Sequence, residues 1–257
     1  MNDRIAMLSL AVFYAALWLP LGQQAFLAEH WMKIGTYAAP LLLFVAFTAR
    51  DPADPPRLDD VRLVAVVMAA AYMAHQYEEH WIDLLGRVYP LRQVLNDMLS
   101  AAYGPEAASA MTPEALFIIN TSIVWLIALL AVLRAEAQVF PALAMAGIMA
   151  VNGTGHIVAA LVSLSYNPGL LTGILLFLPL SLAFYATLLR RGMATFAMVA
   201  AAIGWAVAAH VLLFAGALAA NVLGLIPVGL YYAMLIGFGI LPLALFRSQG
   251  GARMARP

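Results

Sequence analysis

The sequence predicts an all-α, polytopic membrane helix bundle of about eight transmembrane helices with N-terminus and C-terminus cytoplasmic, and three observations predict it. Hydrophobic residues make up 65% of the 257 and charged residues 10%, with a mean hydropathy of +0.91, far too apolar for a water-soluble domain. Eight apolar stretches reach or approach the roughly 17–25 residues that a helix needs to cross the hydrocarbon core. When those spans alternate across the bilayer, Arg4, Arg50, Arg57, Arg62, Arg134, Arg190, Arg191, Arg247, Arg253 and Arg256 share one side, and only Lys33, Arg87 and Arg92 fall on the other. That asymmetry marks a cytoplasmic face, here of the inner (plasma) membrane, and a miscount of one span would scramble it.

The first stretch, Ile5 to Gly22, begins after Asp3 and Arg4 cancel, and no small-x-small cleavage site follows before Lys33. It reads as a retained span and not a signal peptide. The second, Ile34 to Ala49, is the shortest, and Arg50-Asp51-Pro52-Ala53-Asp54-Pro55-Pro56 after it is too rigid and polar to continue a helix. The third runs from Val61 to Glu78. The segment from Trp81 to Met111 sets Ile82, Leu85, Val88 and Leu91 at helical spacing between Asp83, Arg87, Arg92 and Asp97, the pattern of an outer-surface amphipathic helix capping the bundle. The remaining spans are Pro113 to Leu133, Val139 to Ser165, Gly169 to Leu189, Thr195 to Ala220 and Ile226 to Phe246. No internal repeat divides the chain, so residues 1–257 are expected to form a single transmembrane helical domain.

The formal net charge of +0 offers no field for a nucleic-acid partner. The expected partners are the bilayer and a small lipid-like substrate. Without cysteine there is no disulfide and no thiolate ligand or nucleophile, and any metal must be held by His, Asp, Glu, Asn or backbone oxygen.

Within this apolar chain His75-Gln76-Tyr77-Glu78-Glu79-His80 stands out, because charged groups inside a membrane are costly and mark functional sites. At about 100° per residue Glu78 falls about 60° to one side of His75 and Glu79 about 40° to the other, so one imidazole and two carboxylates share a face, with His80 about 140° away as a bystander. The competing reading is a polar cap ending the span in headgroup water. In Asn152-Gly153-Thr154-Gly155-His156, Asn152 at i, i+4 can orient the His156 imidazole, and the glycines allow close helix approach or a break. Glycine-mediated packing with a hydrogen-bonded histidine is the alternative. His210 is a lone histidine in its span, either a further ligand or a bond to a neighbouring helix, and His30 and His80 read as interfacial residues. All five histidines fall in the outer half or on the outer surface. Tyr166-Asn167-Pro168-Gly169 is a turn that could roof the same cavity, and Tyr72, Asn120, Asn152, Tyr166 and Asn221 are candidates to line it.

His75, Glu78 and Glu79, then His156, then Tyr166, Pro168 and Gly169 resemble, in that order, the HXXEE family of membrane proteins, described by a His-x-x-Glu-Glu motif, a further histidine and a Tyr-x-Pro-Gly motif. The resemblance runs from the third span to the start of the sixth. It implies an integral membrane protein of unknown activity and names no reaction.

Two chemistries suit these residues. In a metal-dependent membrane enzyme, His75, Glu78, Glu79 and His156, with His210, hold zinc or iron beside an apolar substrate. The site would be hydrolase-like or oxidative, for His-Glu-x-x-His and its inverse are absent and five histidines are too few for a desaturase. In the metal-free alternative, Glu78 and Glu79 with His75 or His156 form an acid/base set that isomerises or cyclises a lipid-like molecule. A proton-coupled carrier, with the carboxylates and histidines as a relay, and a purely structural membrane protein are the further alternatives, the lack of ionisable residues in the inner halves of the spans weighing against the carrier.

Overall fold

A computed structural model describes residues 3–135 and 137–246. Nine helices account for them: α1 (Asp3–Gly22), α2 (Ala25–Thr48), α3 (Val61–His80), α4 (Pro90–Tyr103), α5 (Pro113–Arg134), α6 (Phe140–Ser163), α7 (Leu170–Arg190), α8 (Phe196–Val222) and α9 (Val228–Leu243). No strand occurs among the described residues. Five helices, α2, α5, α6, α7 and α8, are long and apolar enough to cross a membrane. In α3 the polar cluster occupies the last turn and a half. The apolar parts of α1 and α9 are shorter, Val12–Gly22 and Val228–Leu243. Arg247, Arg253 and Arg256 lie outside the described residues, as does the side chain of Arg4.

Where helices begin, polar side chains take up the free amides of the first turn. Asp60 accepts from Leu63, Thr112 from Ala115 and Thr195 from Met198. The large side chains of Phe44, Leu161, Leu182 and Phe214 remain exposed on the outside, an inversion that a lipid solvent allows. The core centres on α6, buried without a break from Phe140 to Met149. α6 packs against α3, α5, α7 and α8, and α3 against α2, α5, α6 and α7. Glycines set the tightest crossings. A Cβ on Gly147 would stand 2.7 Å from the Ala202 carbonyl of α8, and one on Gly153 3.2 Å from the Gly173 carbonyl of α7.

Two boundaries depart from expectation. α2 starts at Ala25 and not Ile34, bringing His30 from a loop into the helix, because the charges in its first half have partners: Glu29 with Arg92 at 2.8 Å, and Lys33 over the Trp81 ring at 4.7 Å. The segment after α3 is not helical from Ile82. Asp83 accepts from the amides of Leu85 and Arg87 and from the Arg87 side chain, with Gly86 at φ +76° closing a turn. The amphipathic helix begins only at Pro90, whose missing N–H costs nothing at a helix start. Three helices also carry a π-helical turn, at Asn120–Trp125, Gly173–Phe177 and Leu218–Val222.

Candidate functional site

The polar end of α3 is not a solvated cap. His75, Gln76, Glu78, Glu79 and His80 are all buried, His75 completely, because α6, α7 and the turn between them close over it. The two carboxylates part company there. Glu79, four residues after His75, turns with it towards α6. Glu78, about 100° further round the helix, turns to the start of α7.

Glu79 sits among imidazoles. Its Oε2 lies 3.5 Å from His75 Nε2 and 3.1 Å from His80 Nε2, and its Oε1 lies 3.3 Å from His156 Nε2. His80 is therefore a direct partner of the cluster and no bystander; its ring also packs on Trp31 at 5.1 Å. The His75 and His156 ring centres are 5.1 Å apart, and one ligand atom from each of His75, Glu79 and His156 lies within 4.8 Å of the others. Donors about 2.0–2.1 Å from a tetrahedral zinc stand roughly 3.3–3.5 Å from one another, so the carboxylate-to-imidazole spacings suit a shared ion.

The other nitrogen of each ring is taken. His156 Nδ1 is 2.7 Å from Asn167 Oδ1, whose amide returns a 2.9 Å bond to the His156 carbonyl. The orienting asparagine is thus Asn167 of the turn and not Asn152, whose buried Oδ1 has no partner. His75 Nδ1 is 2.8 Å from Thr172 Oγ1 in the first turn of α7, and the His75 ring lies on Phe177 at 4.2 Å. His75 Nε2 is buried and makes no hydrogen bond.

Glu78 is spent on the fold. It accepts from Tyr166 Oη at 2.9 Å, from the Leu171 amide at 3.0 Å, and from Thr172 through its amide at 2.8 Å and its hydroxyl at 2.6 Å. A carboxylate there satisfies the free amides at the N-terminus of α7 and opposes the positive end of its dipole. With four donors around it, Glu78 is occupied by the start of α7, and of the two carboxylates it is Glu79 that faces His75 and the other imidazoles. Tyr166 also accepts from the Leu84 amide. Burial, and then Glu78, push its phenol above the ordinary tyrosine range.

Gly169 gives the Tyr-x-Pro-Gly turn a steric reason. Its φ of +92° is left-handed, and a Cβ there would stand 2.7 Å from Cε1 of both His75 and His156. The glycine is the floor on which the two rings rest. Gly155, by contrast, faces open space.

The remaining candidates surround the cluster at a distance. His210 gives its Nδ1 to the Ala206 carbonyl at 2.8 Å and is not among the three converging residues. It borders a cavity of about 70 Å³ with Tyr72, Glu79, His80, Asn120 and Asn152, walled by Leu95, Leu213 and Phe214 among others. Asn120 accepts from Gln76, which in turn accepts from the Trp125 indole. Asn221 lies in the last turn of α8 with its buried Nδ2 unpartnered, and His30 meets the Tyr89 hydroxyl at 3.3 Å. Thr172 went unnoticed in the sequence, where a threonine in an apolar run carries no signal beyond its place four residues after Pro168.

No curated protein and no solved structure matches this chain. Residues 66–184, which hold the His75, His80, His156, Tyr166 and Thr172 side chains that pair with Glu78 or Glu79, match the model of a family described as protein of unknown function with HXXEE motif, the family that the three motifs resemble.

Proposed function

We propose that the protein is a metal-dependent membrane enzyme of the inner (plasma) membrane, acting on a lipid-like or apolar substrate, with zinc or iron held by His75, Glu79 and His156. The site lies in the outer half of an eight-span bundle with both ends cytoplasmic. The observation that carries this reading is the convergence of His75 Nε2, buried without a hydrogen bond, and His156 Nε2 on the two oxygens of one carboxylate. With each Nδ1 engaged by an acceptor, a neutral ring turns a bare Nε2 on the carboxylate, which is unfavourable unless a metal ion or a shared proton lies between them.

Two imidazoles and a carboxylate form the donor set of both zinc hydrolases and non-haem iron oxygenases, and a metal so held keeps an open position to activate water or oxygen. The protein orients both imidazoles through their Nδ1 partners, and Phe177 and Tyr72 keep the His75 side dry. The cavity bordering Glu79 is mostly apolar, which supports a lipid-like substrate. Metal analysis of the purified protein beside His75→Ala and His156→Ala tests the proposal. Stoichiometric zinc or iron in the wild type, lost from both variants, is expected, and a metal-free wild type that takes up neither ion refutes it.

A second reading rests on the 3.1 Å contact between His80 and Glu79. A carboxylate ringed by three imidazoles can share protons in place of a metal and serve as the acid/base centre of an isomerase or cyclase. The metal-free wild type would leave this reading standing.

A further inference from the structure

The hydroxyl of Thr172 sits between His75 Nδ1 at 2.8 Å and Glu78 Oε2 at 2.6 Å. It has one proton to give. Its other acceptor is the Gly169 carbonyl at 3.4 Å, so the short contact to the carboxylate claims that proton. The oxygen then meets His75 only as an acceptor, and the proton between the two belongs to His75 Nδ1. In the neutral ring this leaves Nε2 bare, facing Glu79 with no other bond. The chain of donation runs His75 Nδ1–H to Thr172 Oγ1–H to Glu78, and each link fixes the next.

We propose that Thr172 and Glu78 are positioning residues that set the tautomer and orientation of His75, so that Glu78 presents His75 to the metal without touching the ion itself. Glu78 does this while capping α7, which ties the start of that helix to the ring it orients. A carboxylate behind a ligating histidine normally bonds the ring directly; here a threonine carries the effect across one more bond. His156 is served differently, by the neutral amide of Asn167. The inference rests on the metal reading for its consequence, and its geometric core stands without it.

The test uses full-length protein in detergent with ¹⁵N-labelled histidine. His75, assigned by its loss in His75→Ala, is expected as the Nδ1–H tautomer in the metal-free wild type. Thr172→Val removes the link while keeping the shape of the side chain, and is expected to mix or invert the tautomers. Thr172→Ser keeps the hydroxyl and is expected to restore them, a rescue that a merely structural role would not produce. Cobalt(II) titration of the same proteins is expected to show a 10–100-fold weaker affinity for Thr172→Val, with Thr172→Ser near wild type. Glu78→Gln is expected to follow Thr172→Val; should it fail to fold, the threonine pair decides. A His75 tautomer unchanged by Thr172→Val overturns the proposal. Wild type that binds no cobalt(II) or zinc overturns the metal reading alone, since the tautomer is read without metal.

Discussion

Replacing Gly169 by alanine puts the proposed centre under a calculable strain. The added Cβ would lie 2.7 Å from the Cε1 atoms of His75 and His156, against an ordinary contact of at least 3.4 Å. One or both rings, or the turn, must therefore move by about 0.7 Å. Metal ligands keep their distances within about 0.2 Å, so a shift of that size breaks the geometry of any ion held between the rings. The backbone adds its own cost, because φ of +92° suits glycine and a side chain there is strained by about 1–3 kcal/mol. Crowding in a packed interior costs a further 1–3 kcal/mol or so. Together about 2–6 kcal/mol is a large part of a typical stability of about 5–15 kcal/mol. Thermal unfolding in detergent is expected to show a clear fall in Tm, and cobalt(II) titration an affinity at least 10-fold weaker. Gly155→Ala is the control, because its Cβ would meet nothing within 4 Å; it is expected to be neutral or up to about 1 kcal/mol stabilising. A Gly169→Ala protein with wild-type Tm and wild-type cobalt(II) affinity would refute the reasoning.

Three further outcomes are expected. Gly147→Ala places a Cβ 2.7 Å from a backbone carbonyl of α8, which no rotamer change relieves, so a loss of about 1–3 kcal/mol in detergent unfolding is predicted without loss of metal stoichiometry. Tyr166→Phe removes a bond to Glu78 and the partner of the Leu84 amide and is expected to cost about 1–3 kcal/mol in the same assay, while His75 keeps its tautomer. His210→Ala is expected to leave metal stoichiometry intact, since His210 stands outside the converging group; loss of the metal would make it a ligand.

Periodicity and composition made much of this legible. The all-helical architecture and the run of apolar helices follow from composition, and the pairing of His75 with Glu79 follows from spacing on a helix. What spacing cannot convey is which neighbour each face meets. Glu78 and Glu79 look equivalent on a helical wheel, yet one meets the amides of α7 and the other the imidazole of α6. Asn152 has the i, i+4 spacing to orient His156, but the returning turn brings Asn167 closer. His80 looked remote because its angle was measured from His75 alone, whereas its partner is the adjacent Glu79. The start of α2 was hidden because Glu29 and Lys33 read as loop residues until Arg92 and Trp81 were placed beside them. In each case the missing information is a contact made by residues far along the chain.

The bond between His75 and Thr172 joins positions 97 residues apart, and that separation has a consequence in time. A ribosome adding about 5–20 residues per second makes Thr172 roughly 5–20 s after His75. Through that interval His75, Glu78 and Glu79 lack the turn that closes over them in the folded chain. The site is thus a late product of biogenesis, completed only when α7 arrives and Gly169 slides beneath the two rings.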